Sequence, residues 1–372
     1  MAKIVNIEVM MVDLMPKVKR TDAIQSFVKQ ETPIVIITDA DGVKGCGYSY
    51  TIGTGGSSVI HLIVDHLAPL LIGKDARYIE KIWHDMLFHT HATAVGAITS
   101  LAMAAIDIAL WDLKSIKANN PLYIEAGGAK DEIQLYSTEG GWLHIETEQL
   151  VDDALNMQAQ GFKGAKIKIG KQFVADDEKR LKAVREAVGD HFNIMVDANQ
   201  SFSLSEAKRR DKMLTAYEIG WFEEPLPADD ILAHQKLTAS SGVPIAVGES
   251  IYSLSQFKDY LALNACDIIQ VDVARIGGIT PWLKVAHMAE AFNVSVCPHF
   301  LMELHVSLCC AINNAPWLEY IPQLDAITHK SIDIQNGIAR PSKKPGLGID
   351  WDFEAIAELR IDGAYFNIGK QL

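Results

Sequence analysis

Three carboxylates recur at equal spacing in the second half of the chain. Asp197, Glu223 and Glu249 are separated by 26 residues at each step, and each ends a short apolar stretch. Each could be a helix cap or an ion-pair partner on its own. If the stretches are neighbouring parallel strands, the carboxylates converge and repel one another, so a cation must neutralise them. Such oxygen ligands favour Mg²⁺, with Mn²⁺ as an alternative, over zinc.

Two lysines precede this series by one repeat, in the stretch GAKIKIG. Lys166 and Lys168 are two residues apart in an alternating pattern, which places both on one face of a strand. An edge strand with a solvated cationic face is the simpler interpretation of an isolated pair. Next to a metal, the pair has a chemical use. We expect Lys166 and the metal to lower the pKa of Lys168, so that Lys168 acts as a base.

Three further ionisable residues end the later stretches. Asp272 and His299 are 27 residues apart, again one repeat, and Glu319 follows 20 residues later. A carboxylate beside an imidazole fixes its tautomer and orients the ring, which makes a dyad. The whole set suits abstraction of a proton alpha to a carboxylate, because the resulting ene-diolate needs concentrated positive charge. Lys166 would hold the substrate carboxylate, while Lys168 and His299 would act on opposite faces.

Repeated strand and helix patterns must position these residues. Eight short apolar stretches alternate with amphipathic helical stretches, which predicts an α/β fold of the (β/α)8 or TIM barrel type. A doubly wound sheet would favour a glycine-rich phosphate turn, and neither GxGxxG nor GxxxxGK[ST] occurs. The eight strand candidates are IQLYSTEGG, GAKIKIG, FNIMVDANQ, GWFEEPL, PIAVGES, DIIQVDVARIGG, VSVCPHF and WLEYIPQ.

The first third of the chain has a different pattern, with strands followed by helices, and predicts a separate α+β unit. The strands are predicted at 3–14, 33–38 and 43–50, and the helices at 59–71, 78–87 and 94–116. We therefore expect an α+β domain at 1–128 and a barrel domain at 129–331. The segment 332–372 is expected to pack back on the first domain.

Composition excludes several classes of protein. The 372 residues carry a formal charge of −13, which argues against a nucleic-acid partner. The five cysteines include no CxxC pair, so we expect reduced thiols rather than disulfides or a zinc ribbon. Charged residues interrupt the apolar stretches, so no membrane span is expected. We expect a soluble, cytoplasmic protein.

Taken in order, these motifs resemble those of the enolase superfamily, specifically its mandelate racemase subgroup. The resemblance covers nearly the whole chain and includes KIK, VDAN, FEEP, GES, QVDVARIGGIT, CPHF and WLEY. The segments GGWLHIETEQL, PHFLMELHVSL and WLEY are most similar to acid sugar dehydratases of the talarate/galactarate type. The resemblance implies that the α+β domain caps the barrel.

The resemblance also implies a role for each residue of the site. Glu223 rather than Glu224 is the metal ligand, because the family places it two residues before the proline. Glu319 corresponds to a carboxylic acid that hydrogen-bonds the substrate carboxylate, and Asn199 to a supporting polar position. The implied metal ligands are Asp197, Glu223 and Glu249, and the implied bases are Lys168 and the Asp272–His299 dyad.

An early loop of the capping domain closes over the site in this family. Here it reads MPKVKRTDAIQSF, and we expect Lys19 and Arg20 to bind the substrate. A small polyhydroxylated carboxylate suits such a loop better than an aromatic one. The expected reaction is therefore Mg²⁺-dependent dehydration of an acid sugar to a 2-keto-3-deoxy acid. A racemase, epimerase or lactone cycloisomerase would use the same bases, and a non-catalytic sugar-acid binding protein would not need them. We expect a homo-oligomer.

Overall fold

A computed structural model describes residues 2–27 and 29–369. Among those residues, no helix combines the length and the apolar character needed to cross a lipid bilayer. The N-terminal strands are β1 (Ile4–Asp13), β2 (Arg20–Thr21), β3 (Ser26–Phe27), β4 (Gln30–Asp39), β5 (Lys44–Tyr48) and β6 (Thr51–Ile52). The helices that follow are α1 (Gly56–Leu62), α2 (Ala68–Leu71), α3 (Ile79–His89), α4 (Ala97–Ala118) and α5 (Leu122–Glu125). A π-helical turn, Ile63–Leu67, joins α1 to α2.

The antiparallel sheet of this unit packs against α4. β4 pairs with β5 around the turn at Gly42, which has a φ of 80°, as the Asp41–Gly42 pair predicts. The face of α4 against the sheet carries alanines, and the backbone of β5 approaches it so closely that a Cβ at Gly47 would lie 2.3 Å from the Ala105 carbonyl oxygen. Strands followed by helices confirm the predicted α+β unit.

Eight parallel strands, each of the first seven followed by a helix, form the second unit. The strands are β7 (Ile133–Ser137), β8 (Gly164–Lys168), β9 (Asn193–Asp197), β10 (Ile219–Glu223), β11 (Ile245–Val247), β12 (Ile268–Ile269), β13 (Ser295–Val296) and β14 (Leu318–Tyr320). The helices are α6 (Thr147–Ala159), α7 (Val174–Val188), α8 (Leu204–Leu214), α9 (Ile231–Thr238), α10 (Leu254–Ala262), α11 (Ile279–Ala291) and α12 (Met302–Ala311). A 3-10 turn, Thr215–Tyr217, follows α8.

The strand order is β13-β12-β11-β10-β9-β8-β7, with β14 paired to the other side of β7. Eight parallel strands in this order, with helices between them, have the pattern of the predicted (β/α)8-type barrel, and all eight strand candidates are confirmed. Side chains that point inward pack in one layer beneath the strand ends: Tyr136, Met195, Trp221, Ala246 and Cys297. Such a filled interior leaves only the rim of the barrel for a site.

Polar caps begin the helices directly after the strand ends. Ser203 accepts a hydrogen bond from the backbone N–H of Glu206 at the start of α8, and Ser253 does the same with Gln256 at α10. Both pairs have the S-x-x-E/Q spacing of a capping box. These caps are side chains other than the three recurring carboxylates, which leaves those carboxylates free for another role.

The C-terminal segment divides between the two units. β15 (Asp333–Gln335) and β16 (Ile338–Arg340) form a hairpin, and β16 pairs with β7 of the barrel. After α13 (Phe353–Leu359), β17 (Arg360–Gly369) pairs with β1 of the N-terminal sheet. The end of the chain thus joins the capping sheet, whereas the hairpin extends the barrel. The domain boundaries at 128 and 331 stay a prediction.

Candidate active site

Six of the predicted site residues line a cavity of about 80 Å³ between the barrel rim and the capping loop: Lys166, Lys168, Asn199, Glu249, His299 and Glu319. A larger cavity, of about 420 Å³, lies beside α12, and its lining includes neither Lys166 and Lys168 nor the triad carboxylates or the dyad residues. The chemistry therefore concentrates in the smaller cavity. Its lining includes Asp22, Ile24, Gln25, Phe27 and Ile52 from the capping unit. From the barrel it includes Lys166, Lys168, Asn199, Gln200, Glu224, Glu249, Ser250, Arg275, His299 and Glu319.

The three recurring carboxylates converge at the carboxyl ends of adjacent strands. Asp197 and Glu223 end β9 and β10 and are register partners, and Glu249 lies two residues beyond β11. One oxygen from each residue lies within 4.8 Å of the others, and all three residues are buried. Gly248 allows this approach, since its φ is 152° and a Cβ there would lie 2.5 Å from the Gln270 backbone.

Two neighbouring side chains orient Glu223. Its Oε2 accepts hydrogen bonds from Trp221 Nε1 at 3.0 Å and from Gln270 Nε2 at 2.7 Å, while its Oε1 lies 2.8 Å from Lys166 Nζ. Burial, together with the Asp197 charge, raises the pKa of Glu223 to about 7. Gln270 was not among the residues predicted from the sequence, although it lies in QVDVARIGG two residues before the dyad aspartate.

This carboxylate group fits a divalent cation. Several negative charges share a buried space, and the Glu249 Oε2 atom is buried without a hydrogen-bond donor among the described residues. A set of three carboxylates is the ligand type that Mg²⁺ prefers. Glu224 also lines the cavity, but it is not part of this group of mutually close carboxylates, and Gln200 Nε2 donates to its Oε2 at 3.2 Å. These contacts support Asp197, Glu223 and Glu249 as the ligands.

The two lysines lie in the interior of the sheet, because β8 pairs with β7 on one side and β9 on the other. An edge strand is thus excluded. Lys166 Nζ lies 2.8 Å from Glu223 Oε1 and 2.8 Å from Glu319 Oε1, and Lys168 Nζ pairs with Asp197 Oδ2. Burial lowers the pKa of Lys168, but the carboxylates of Asp197, Glu249 and Glu223 together outweigh it and the net pKa is raised. The predicted lowering by Lys166 is present but smaller than the effect of the carboxylates, and the lowering expected from a bound metal stays a prediction.

Asp272 and His299 form the predicted dyad, with His299 Nδ1 2.9 Å from Asp272 Oδ2. The two residues lie three positions beyond β12 and β13, which are shorter than predicted. His299 Nε2 lies 3.4 Å from Glu249 Oε2. Burial lowers the pKa of His299, yet the carboxylates of Glu249 and Asp272 raise it to a net value above the ordinary one.

Glu319 lies in β14 and contacts three groups. Its Oε1 accepts from Thr138 Oγ1 at 2.5 Å and pairs with Lys166, and its Oε2 accepts from the Phe300 N–H at 2.8 Å. Burial raises the pKa of Glu319, but Lys166, His299 and the Thr138 hydroxyl together more than offset this and the net pKa is lowered. The neutral carboxylic acid expected from the resemblance is therefore a carboxylate among these protein groups.

Asn199 lines the cavity as expected, and its backbone N–H donates to Asp197 Oδ1 at 2.8 Å. Its own Oδ1 is buried without a partner among the described residues, so it can accept a ligand hydroxyl. Lys19 and Arg20, which were expected to bind substrate, are not among the described lining residues. Lys19 is exposed, and Arg20 is buried and bonded to Glu139.

The loop contributes different groups to the cavity. Asp22 and Gln25 line it, and the Asp22 carboxylate accepts the backbone N–H of Gln25 at 2.8 Å, which closes the turn between β2 and β3. Arg275 is the cation near this loop that the sequence analysis did not assign. It donates to the Glu249 Oε1 atom at 3.2 Å and is half-buried. Arg275 follows Asp272 by three residues, and this closeness to a predicted site residue could have identified it from the sequence.

Comparison with known families agrees with this geometry. Residues 6–124 match the mandelate racemase / muconate lactonizing enzyme N-terminal domain, and residues 149–356 match the enolase C-terminal domain-like family. The chain belongs to the mandelate racemase / muconate lactonizing enzyme family.

Two curated relatives of this family member have different activities. The L-talarate/galactarate dehydratase of Salmonella typhimurium is 36% identical over 86% of this chain and 80% of its own. The 3,6-anhydro-alpha-L-galactonate cycloisomerase of Streptomyces coelicolor is 34% identical over 88% of this chain and 91% of its own.

Among solved structures, the L-talarate dehydratase of Polaromonas sp. JS666, complexed with Mg and L-glucarate, superimposes with a TM-score of 0.94. It is 31% identical, and the match covers 100% of both chains.

Proposed function

We propose that this mandelate racemase-family protein is a Mg²⁺-dependent acid sugar dehydratase. It removes the proton alpha to a carboxylate and expels the β-hydroxyl, giving a 2-keto-3-deoxy acid. The observation that carries the proposal is that Lys168 and His299, which is paired with Asp272, line one cavity beside three converging carboxylates. Its substrate is an aldarate such as galactarate or talarate, or an aldonate.

Asp197, Glu223 and Glu249 would hold the metal, which supplies positive charge opposite the substrate carboxylate. Lys166 adds a second cation at this point, since its Nζ already lies among three carboxylates. Asn199 and Glu319 would bind the substrate oxygens beside it. Together these groups bind the carboxylate and stabilise negative charge as it develops.

Removal of the α-proton leaves an electron pair that forms the carbon–carbon double bond as the β-carbon–oxygen bond breaks. The leaving hydroxide takes a proton and departs as water, which requires a general acid. His299 has the required position, because Asp272 accepts from its Nδ1 and leaves Nε2 toward the cavity. Lys168 would take the α-proton, or act on the opposite epimer. The enol product then tautomerises to the 2-keto acid.

The lining supports a polyhydroxylated substrate. Asp22, Gln25, Gln200, Ser250 and Arg275 offer polar groups to the cavity, alongside a smaller apolar part from the capping unit. An aromatic hydroxy acid would leave several of these groups without partners, which costs affinity. These groups replace Lys19 and Arg20 as candidates for binding the distal hydroxyls or second carboxylate.

A panel of substrates tests the proposal. Purified protein with Mg²⁺ is incubated with galactarate, talarate and several aldonates, and the 2-keto group is assayed. We expect keto-acid formation from at least one of them and none after addition of excess chelator. Epimerised or lactonised product without keto acid would overturn the dehydratase assignment.

That outcome would favour a second candidate, a racemase, epimerase or lactone cycloisomerase. The cycloisomerase relative at 34% identity supports this candidate, and Lys168 and His299 would serve as its bases too. The absence of α-proton exchange into deuterated solvent from every substrate would instead indicate a binding protein.

We also propose that the protein acts in the cytoplasm, as a homo-oligomer, on small carboxylates rather than nucleic acid. The five buried free cysteines suit a reducing compartment, and a net charge of −13 disfavours phosphate-backbone binding. Phe88, Val95 and Ile98 expose apolar side chains close together in sequence, which supports association. Light scattering on the purified protein measures the oligomeric state.

A further inference from the structure

A tyrosine of the capping unit reaches the catalytic dyad of the barrel. Tyr50 lies between β5 and β6, is 2% exposed, and its hydroxyl oxygen is 2.7 Å from Asp272 Oδ2. The two residues are 222 positions apart in sequence. His299 Nδ1 lies 2.9 Å from the same carboxylate oxygen, so tyrosine and imidazole share one acceptor atom.

The direction of the tyrosine hydrogen bond follows from its other partner. Arg275 Nε lies 2.9 Å from the Tyr50 hydroxyl oxygen, and a guanidinium can only donate. The hydroxyl oxygen therefore accepts from Arg275, and its proton is left to donate to Asp272. This donor completes the carboxylate's set of hydrogen bonds, because Oδ1 accepts the backbone N–H groups of Ala274 and Arg275 at 2.7 and 3.0 Å.

The ring of Tyr50 supports the histidine from a second direction. Its centroid lies 4.6 Å from that of Phe300, and the Phe300 ring stacks on His299 at 5.2 Å. The imidazole is thus held at Nδ1 by Asp272 and on its face by Phe300, and Tyr50 contacts both supports. No other residue of the capping unit donates to Asp272 among the described contacts.

We infer that Tyr50 is a positioning residue for His299, and that its hydroxyl holds the Asp272 carboxylate in the orientation that keeps the imidazole in place. Tyr50 acts through Asp272 and touches no reacting atom. Docking of the capping unit thereby completes the histidine side of the site. The inference rests on the proposed function for its kinetic consequences, but the contact itself can be tested without substrate.

The matched variants are Tyr50→Phe and Tyr48→Phe. The first removes the hydroxyl and keeps the ring that packs on Phe300. The second removes a hydroxyl from the same segment, where the Tyr48 oxygen is buried without a partner among the described residues. Comparable melting temperatures for both variants and the wild type show that the fold is retained.

Kinetics use two acid sugars that are epimeric at the α-carbon and measure exchange of the α-proton into deuterated solvent. His299→Asn identifies the epimer on which His299 acts. For this epimer we expect Tyr50→Phe to slow exchange about ten- to a hundredfold, the usual effect of losing a hydrogen bond to a charged group. In Tyr50→Phe, the exchange rate of the other epimer and the KM should stay within about twofold of the wild-type values. Tyr48→Phe should behave as wild type.

A double variant separates positioning from general damage. When Tyr50→Phe is added to His299→Asn, we expect no further loss, because the residue through which Tyr50 acts is already absent. Equal slowing of both epimers in Tyr50→Phe, or a further loss in the double variant, would overturn the inference. An unchanged rate on the His299 epimer would do so as well.

Spectra of ¹⁵N-histidine-labelled protein test the contact independently of the reaction. The Nδ1–H resonance of His299 is assigned by its disappearance in His299→Asn. In Tyr50→Phe we expect it to broaden or exchange faster with water, with no change in Tyr48→Phe. An identical resonance in wild type and Tyr50→Phe refutes the inference whatever the reaction is. Lack of α-proton exchange by the wild type refutes only the proposed function.

Discussion

Lys166 of β8 and Glu319 of β14 form an ion pair across the barrel interior, with Nζ 2.8 Å from Oε1 and both side chains 1% exposed. The same ammonium lies 2.8 Å from Glu223 Oε1, so one lysine joins the predicted metal site to the expected substrate-binding carboxylate. Lys166 is therefore both a substrate-binding candidate and a charge that the buried carboxylates require.

The first prediction concerns the removal of this charge. Lys166→Met leaves Glu223 and Glu319 buried without their cation, so the free energy of unfolding falls by about 3–5 kcal/mol. Urea denaturation in the presence of chelator measures the loss, and added Mg²⁺ should restore part of it. Lys182→Met is the control, since Lys182 is exposed and its change should cost less than about 0.5 kcal/mol. Equal losses in both variants would contradict the role assigned to the pair.

The second prediction concerns Gln270. Gln270→Leu removes the amide that donates to Glu223 Oε2 at 2.7 Å, so the carboxylate is held by Trp221 alone on that side. We expect Mg²⁺ affinity, measured by calorimetry, to fall about ten- to a hundredfold. Gln149→Leu, on the exposed face of α6, serves as the matched control. Unaltered affinity in Gln270→Leu would show that Glu223 needs no such support.

The third prediction concerns the two bases. Because Lys168 and His299 line one cavity from opposite parts of the barrel rim, each should exchange the α-proton of a different epimer. Lys168→Ala should abolish exchange of one epimer, and His299→Asn that of the other, as followed by deuterium incorporation. Loss of the same epimer in both variants would rule out opposed bases.

The fourth prediction concerns stability and pH. Asp107 in α4 accepts hydrogen bonds from the Thr280 N–H and Oγ1 at the start of α11, and its burial raises its pKa to about 7. The unfolded chain loses this proton near pH 4, whereas the folded chain keeps it to about pH 7. Ionisation therefore costs stability as pH rises through this window, by at most about 4 kcal/mol.

Asp107→Asn cannot ionise, so its free energy of unfolding should rise relative to wild type between pH 4.5 and 7.5. Any loss of hydrogen bonding caused by the amide is the same at both pH values and cancels in the comparison. Urea denaturation at the two pH values measures the difference. A constant difference between the proteins would mean that Asp107 is already ionised in the folded state at low pH.

The sequence alone determined the barrel and most of the site, because both follow from local periodicity. Strands with alternating faces and a repeat near 26 residues place Asp197, Glu223 and Glu249 on one rim, wherever the rest of the chain lies. The same repeat predicted that Asp272 and His299 would meet, and their atoms lie 2.9 Å apart.

The tertiary structure alone decided the contacts that depend on rotamers and on the docking of the two units. Arg20 turns away to Glu139, and Tyr50 reaches Asp272 across 222 positions, a pairing that no local pattern encodes. The tertiary structure also sets the pKa values of the buried ionisable groups. Lys166 and its neighbours lower the pKa of Glu319, because the energy of a buried charge depends on every neighbour within a few ångströms rather than on its place in the chain.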